Sequence, residues 1–271
     1  MLRFFAAIVG LVFIAAAGLA LGSSVYTLAT EVPEESASHA LHKHPLELKL
    51  ASNGIFGKVD ERQAQRGFQV YQQVCANCHS LSLIAFRDLK KIGYTDAEVK
   101  KIATDWTVKA QTLDAKTGER GERPNTPADK FPTVYYPGQG NPPDLSLITK
   151  ARHDGPAYVY SLLTGYRDLT PEELKKHPDA KTPDGTYFNP YFANLNIAMP
   201  PPLSEGAVTY ADGTKSTVKQ NAEDVAAFLV WTAEPELNQR HGMGIMVIVF
   251  LLVATVLAYG AYQNIWRNVK H

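Results

Sequence analysis

Cysteine is scarce in this chain of 271 residues, which has only two thiols. Both lie in one short stretch, as Cys75 and Cys78, so no further cysteine remains to build a disulfide framework. A zinc site built from two CxxC pairs is excluded, because no second pair exists. No alternation of strands and helices surrounds the pair, as a thioredoxin-like redox site would require.

Charge is absent from two long apolar stretches, one near each end of the chain. The first covers residues 4–21, and the second covers residues 241–266 without any Asp, Glu, Lys or Arg. The section between them, residues 30–240, holds 27 acidic and 24 basic residues. This mildly acidic section argues against a nucleic-acid partner and is compatible with a basic protein partner.

The first apolar stretch is typical of a secretory signal peptide. Arg3 provides a charged start, and Thr27 and Ala29 have the spacing of a cleavage site. We therefore expect residues 1–29 to be cleaved after export. The alternative is a retained membrane helix, because about 18 apolar residues nearly span a bilayer.

The second apolar stretch predicts a transmembrane anchor at residues 241–266, followed by a short tail at residues 267–271. A helix buried in a core is the alternative. Arg267 and Lys270 follow the span. The positive-inside rule then places the tail in the cytoplasm and residues 30–240 on the opposite side of the membrane.

The stretch CANCH at residues 75–79 indicates the chemistry. Two cysteines three apart, followed at once by histidine, form the attachment pattern of c-type haem, although a chance occurrence is the alternative. Each thiol adds to one vinyl group of the porphyrin, and His79 then lies where it can bind the iron. The sequence thus predicts one covalent haem c on Cys75 and Cys78.

The second axial ligand is predicted by elimination. Of the four methionines, Met1 starts the chain and two lie in the anchor, which leaves Met199. His153 and His177 remain alternative ligands. A neutral thioether raises the reduction potential relative to a second histidine, and a fully ligated iron suits electron transfer rather than substrate chemistry.

Helical periodicity predicts four helices between the apolar stretches, at residues 61–74, 96–109, 154–165 and 222–234. Asp60, Thr95 and Asn221 are the expected N-caps. Gly67 lies inside the first helix, where it costs stability relative to alanine, so we expect another helix to approach closely there. Residues 111–145 and 167–190 are predicted loops, and we expect the first to pack on the haem.

The ordered set of motifs resembles the cytochrome c1 family, the haem-c subunits of bacterial cytochrome bc1 complexes. The resemblance runs from residue 54 to the C-terminus. It includes RGFQVY ahead of CANCH, PPDLS at residues 142–146, MPP at residues 199–201 and the single anchor. CxxCH alone is unspecific, whereas this ordered set is highly specific.

The resemblance implies a fold and a site. The fold is an all-α, elaborated class I cytochrome c domain with long Pro/Gly-rich loops and one C-terminal transmembrane helix. Cys75 and Cys78 carry the haem, and His79 and Met199 ligate its iron. The first and last helices of the domain cross.

The resemblance also implies the partners. Electrons pass from a Rieske iron–sulfur protein to a cytochrome c during quinol oxidation. The complex contains cytochrome b, is dimeric and lies in the bacterial inner membrane. The subunit is not an enzyme on its own. The main alternative is a membrane-anchored monohaem cytochrome of another respiratory complex, such as a terminal oxidase; an open-site haem enzyme or sensor and a haem that serves only as a structural staple are others.

One departure from the family concerns the haem propionates. The family commonly has an Ala/Asn-rich stretch with an arginine before PPDLS, and that arginine pairs with a propionate. Residues 135–140 read YYPGQG and contain no arginine. We expect Arg152 or water to take this role, with Pro142 and Pro143 in the surroundings of the haem.

Overall fold

The computed structural model describes residues 2–30, 36–138 and 140–269. Its α-helices are α1 (Leu2–Thr30), α2 (Ala37–Leu41), α3 (Glu61–Gln73), α4 (Asp96–Asp105), α5 (Ile148–Ala151), α6 (Gly155–Thr164), α7 (Pro171–Lys176), α8 (Val218–Ala233) and α9 (Leu237–Trp266). Short 3-10 helices cover Cys75–Asn77, Phe86–Ile92 and Pro178–Ala180. Strand β1 (Ala110–Leu113) pairs with β2 (Arg120–Arg123), and β3 (Tyr187–Phe188) pairs with β4 (Asn196–Ile197), both antiparallel. Helix predominates and the strands are short, which confirms the all-α prediction.

Helices α3 and α8 cross at the centre of the domain, as the sequence predicts. A Cβ atom at Gly67 would lie 2.0 Å from the carbonyl oxygen of Asp224 and 2.5 Å from the Cβ of Phe228. Only glycine therefore allows the two helices to approach this closely. Arg66 donates hydrogen bonds of 3.0 and 3.1 Å to the buried Asp224 carboxylate and ties the helices together beside the crossing.

Helix α3 begins as predicted, because the side chain of Asp60 accepts hydrogen bonds from the amides of Arg62 and Gln63. Its apolar face contributes Phe68 and Tyr71 to a buried aromatic cluster. The other members of this cluster are Phe86, Trp106, Phe131 and Phe228. The cluster supports the end of α3, where CANCH follows.

Helix α4 is shorter than predicted, since it ends at Asp105 instead of residue 109. Thr95 caps its start and Glu98 completes the capping box, as expected. Trp106 then adopts an extended conformation (ψ 136°), and its ring lies 5.0 Å from that of Phe131. Burial of this aromatic ring outweighs continuation of the helix.

Helix α8 starts at Val218, earlier than predicted, and Thr217 caps it by accepting a hydrogen bond of 3.1 Å from the amide of Gln220. The prediction of Asn221 as the cap is wrong. Asn221 is buried inside the helix, where its Oδ1 accepts a 2.9 Å hydrogen bond from the Tyr210 hydroxyl.

Both predicted loops contain regular structure. Strands β1 and β2 form a hairpin inside the first one, and their mainly exposed residues show no apolar alternation that could have predicted it. In the second, Thr170 caps α7 with Glu173 as its capping-box partner. Helix α6 lies where it was predicted, within one residue at each end.

Helices α1 and α9 are each long and apolar enough to cross a membrane, and neither apolar stretch is buried in the domain. Helix α9 begins at Leu237, ahead of the predicted residue 241, because Leu237 is itself buried in the domain. The anchor thus continues directly from the domain. Lys270, on which the predicted orientation partly depends, lies outside the described residues. Cleavage after residue 29 stays a prediction.

Candidate functional site

The CANCH stretch is a single tight turn at the end of α3. The carbonyl oxygen of Cys75 accepts hydrogen bonds from the amides of Cys78 (3.1 Å) and His79 (2.9 Å). Side chains three residues apart in such a 3-10 turn lie on the same side. The geometry therefore presents both thiols toward one neighbour, as two bonds to one porphyrin require.

The thiol chemistry of this turn differs from that of a redox-active CxxC pair. Burial, with a smaller contribution from Cys78, raises the pKa of the Cys75 thiol to about 12. Redox cysteines instead have a lowered pKa, because the thiolate is the reactive form. The environment of Cys75 therefore does not favour disulfide exchange.

His79 is held by a residue far away in the sequence. Its Nδ1 lies 2.8 Å from the carbonyl oxygen of Pro143, which can only accept, so Nδ1 carries the proton. The lone pair then resides on Nε2, which is available to a metal. Burial lowers the pKa of His79 despite opposing effects of Pro143 and Asp144, and this favours the neutral form that ligates metals.

The PPDLS segment is bound to the residues that follow CANCH. Asp144 accepts hydrogen bonds from the amides of Ser82 (2.7 Å) and Ser146 (2.8 Å), and the amide of Leu145 donates to the carbonyl oxygen of Ser80 at 2.9 Å. The hydroxyl of Tyr71 donates to the carbonyl oxygen of His79 at 2.9 Å. These bonds fix the backbone on both sides of the imidazole.

Met199 follows β4 in the proline-rich segment and is half-buried. The hydroxyl of Tyr166 donates a 3.1 Å hydrogen bond to its carbonyl oxygen. A Cβ atom at Gly140 would lie 3.9 Å from the Cβ of the adjacent Ala198. The segment that leads to Pro142 and Pro143 thus passes beside Ala198, the residue before Met199, ahead of its contact with His79.

Arg152 is exposed and directly follows α5. Burial raises the pKa of the Tyr158 hydroxyl, and the nearby guanidinium of Arg152 partly opposes this increase. Burial is also the main cause that raises the pKa of Tyr166. Arg152 therefore lies near Tyr158, and Tyr166 separately reaches the backbone of Met199.

The alternative histidine ligands lie in different environments. The side chain of His153 is 98% exposed, and its Nδ1 lies 3.0 Å from Oδ2 of Asp154. His177 is buried directly after α7, next to a 3-10 turn whose Ala180 packs with Ala37, Phe188 and Leu195.

The sequence did not single out Tyr71, Asp144 or Tyr166 as functional. Tyr71 is an apolar position at helical spacing in α3, and such spacing indicates core packing alone. Tyr166 follows Gly165 at the end of α6, and its partner is 33 residues further along the chain. A pattern of local spacing carries no signal for such a contact.

The donor set suits haem c: two thiols on one side of a turn, an imidazole with a free Nε2, and a half-buried thioether. Comparisons with known proteins agree with this chemistry. The model of the Cytochrome C1 family matches residues 50–269. "Cytochrome c1" of Rhodospirillum rubrum is 40% identical over 249 residues, which cover 86% of this chain and 89% of that protein.

Two further relatives carry the name of the wider assembly. "Cytochrome b/c1" of Bradyrhizobium diazoefficiens is 39% identical over 283 residues, with 96% of this chain but 40% of that longer protein covered. "Cytochrome b-c1 complex catalytic subunit, mitochondrial" of Candida albicans is 38% identical over 244 residues, covering 87% of this chain and 81% of that protein. The family model's match at residues 50–269 includes α3 to α9 and therefore covers the site and the anchor together.

Proposed function

The chain belongs to the cytochrome c1 family, and from this membership we propose that it relays electrons within a cytochrome bc1 complex. The family carries covalently bound haem c. Relatives named as cytochrome b-c1 complex subunits support cytochrome b as a partner. Electrons enter from a Rieske iron–sulfur protein and leave to a cytochrome c. The subunit makes and breaks no bonds itself and is a redox component of quinol–cytochrome-c reductase.

The observation that carries the proposal is the fixed imidazole of His79 on the same turn as Cys75 and Cys78. The two thiols hold haem c covalently, and Nε2 of His79 with the thioether of Met199 ligates its iron. Bound haem c supplies a one-electron couple between ferric and ferrous iron. The Pro143 carbonyl keeps the imidazole in its neutral tautomer, and Tyr166 holds the segment that bears Met199.

The surroundings of the haem are assigned by proximity to these ligands. Pro142 and Pro143 belong to the segment that contacts His79 and passes beside Ala198, the residue before Met199. Arg152 provides a cation for a propionate, since it is exposed and lies near Tyr158 of α6, the helix that precedes Tyr166. This assignment replaces the arginine that residues 135–140 lack.

The membrane arrangement follows from the anchor. Helix α9 crosses the bacterial inner membrane once, with the haem domain in the periplasm and the tail in the cytoplasm, after removal of residues 1–29. The anchor begins inside the domain, so the haem domain is held at the membrane surface. The excess of acidic residues in the domain favours encounter with a basic cytochrome c. The whole complex is dimeric.

The test is affinity purification of the detergent-solubilised full chain, with a haem spectrum and identification of the bound subunits. Co-purification with cytochrome b and a Rieske protein supports the proposal. Co-purification with a copper or haem oxidase would instead favour the alternative of an oxidase cytochrome. Rapid carbon monoxide binding by the reduced protein would indicate an open haem position and contradict electron relay by a six-coordinate iron.

A further inference from the structure

The loop of residues 51–58 exposes two large apolar side chains at its tip. Ile55 is 78% exposed and Phe56 is 70% exposed. They occupy the two central positions of a tight turn, because the amide of Gly57 donates to the carbonyl oxygen of Gly54 at 3.1 Å. Central turn positions normally hold glycine, proline, asparagine, aspartate or serine. An isoleucine–phenylalanine pair at these positions exposes apolar surface to water and adds nothing to the core of the domain.

The loop is rigidly built. A second hydrogen bond, from the amide of Lys58 to the carbonyl oxygen of Ala51 (2.9 Å), closes its base. Gly54 has φ +82°, which favours glycine, and a Cβ atom at Gly57 would lie 2.2 Å from the carbonyl oxygen of Ser52. The tip is therefore held in its exposed position by the backbone and cannot easily fold back onto the domain.

The loop is also fastened to the start of the anchor. Nδ1 of His241 lies 2.7 Å from the carbonyl oxygen of Gly57, and the amide of Val59 donates to Oδ1 of Asn238 at 2.8 Å. His241 lies two residues before Met243, where the anchor's exposed apolar side chains begin. Since consecutive Cα atoms are about 3.8 Å apart, the tip lies within roughly 8 Å of chain from this junction.

We propose that Ile55 and Phe56 insert into the outer leaflet of the membrane beside α9, so that the domain has a second contact with lipid. The continuity of the tip with the apolar surface of the anchor favours lipid as the occupant. The exposed Lys58 follows the tip directly, where a cation can meet lipid phosphates. The inference depends on α9 spanning a membrane and not on the electron relay.

A protein partner fits the tip less well. Two side chains of this size offer roughly 400 Å² of surface, whereas a stable protein interface buries about 800 Å² on each partner. Insertion of two apolar side chains into the membrane needs no such area, because each side chain that leaves water contributes its own favourable free energy. The second contact would restrain the tilt of the domain about its single anchor.

The test uses the full haem-loaded chain in lipid nanodiscs, with a spin label on an introduced cysteine in Ile55→Cys or Phe56→Cys. Leu113→Cys is the matched control, since Leu113 is a 67% exposed apolar residue of strand β1, outside both the loop of residues 51–58 and α9. Collision rates with oxygen, which partitions into lipid, are compared with those of a water-soluble nickel chelate. The oxygen-to-nickel ratio is expected to be several-fold higher at positions 55 and 56 than at 113.

Two results would overturn the inference. A ratio at 55 and 56 equal to that at 113 would place the tip in water, and low collision rates with both reagents would mean that protein covers it. The unmodified chain must take up no label, because its thiols are bound to haem. If the unmodified chain does take up label, its thiols are not bound to haem and the spin-label comparison cannot be used. Cross-linking with photoreactive lipids then decides the inference. Cross-links to the peptide that contains residues 55 and 56 support it, and cross-links confined to α9 contradict it.

Discussion

The imidazole of His79 donates from Nδ1 to the carbonyl oxygen of Pro143 across a distance of 2.8 Å. The two residues are 64 positions apart in the chain, so the fold and not the local motif sets the tautomer of the ligand. The segment that supplies this carbonyl also passes beside Ala198, the neighbour of Met199. One segment therefore fixes the tautomer of one proposed ligand, His79, and runs beside the residue that precedes the other, Met199.

Replacement of Met199 by leucine should open the sixth coordination position while the haem stays attached. Leucine has a similar volume but no donor atom, so the reduced haem is expected to bind carbon monoxide rapidly, whereas the parent resists it. Stopped-flow absorbance measures the binding rate. Met246→Leu, in the anchor, is the control and should behave like the parent. Equal resistance in both variants would rule out Met199 as the ligand.

Tyr166→Phe tests whether the hydroxyl positions Met199. Loss of one hydrogen bond costs about 1 kcal/mol, so we expect the midpoint potential to fall by tens of millivolts, with partial carbon monoxide binding. Haem content should be unchanged. Tyr262→Phe, in the anchor, provides the matched control for a lost hydroxyl. A merely structural role for Tyr166 would lower the melting temperature and leave the potential where it was.

Gly67→Ala should destabilise the domain strongly. The added methyl group would collide with the backbone of Asp224, which cannot move without separating α3 from α8. Overpacking of this kind typically lowers the free energy of unfolding by about 1–3 kcal/mol. Because the added methyl group would meet backbone, we expect a loss of about 3 kcal/mol or more for this variant. Thermal unfolding followed by circular dichroism measures the loss. Gln72→Ala, exposed on the same helix, should change stability little.

The ion pair of Arg167 and Glu173 at the start of α7 predicts that the fold loses stability in acid. Hydrogen bonds from Arg167, then from the Thr170 amide, lower the pKa of Glu173 to about 2. A carboxylate with a lowered folded-state pKa stabilises the fold above its ordinary pKa of about 4.3, and this contribution disappears as the pH falls toward 2. Glu173→Gln should therefore reduce stability at pH 6 and flatten its decline between about pH 5 and pH 3.

Urea unfolding at several pH values measures this slope. The exposed neighbour provides the control, since Glu172→Gln removes the same charge without the Arg167 contact. An identical acid dependence in both variants would show that the pair of Arg167 and Glu173 does not contribute.

Local patterns predicted the parts of the fold that depend on neighbouring residues. Asp60 and Thr95 cap their helices as expected, because a cap needs only the first turn that follows it. Gly67 was correctly predicted at a close helix crossing, since a glycine inside an amphipathic helix requires a reason. The anchor was predicted from the absence of charge, and its earlier start follows from a buried contact of Leu237 that composition does not show.

Several of the errors and omissions share one physical origin, which is contact between residues distant in the sequence. Asn221 has the composition of a cap, but its buried hydrogen bond to Tyr210 places it inside a helix. Helix α4 ends before Trp106, because the Trp106 ring packs against Phe131, which is distant in the sequence. In the site, the thiols and the imidazole were apparent from spacing, whereas the contacts of Pro143 and Tyr166 exist only once the chain has folded.

The most direct measurement is a potentiometric titration of the haem in the purified full chain, followed by its absorbance. Ligation by one neutral imidazole and one thioether, in a partly buried site, predicts a positive midpoint potential for a single one-electron step. A strongly negative midpoint, as two histidine ligands would produce, would contradict the pairing of His79 with Met199.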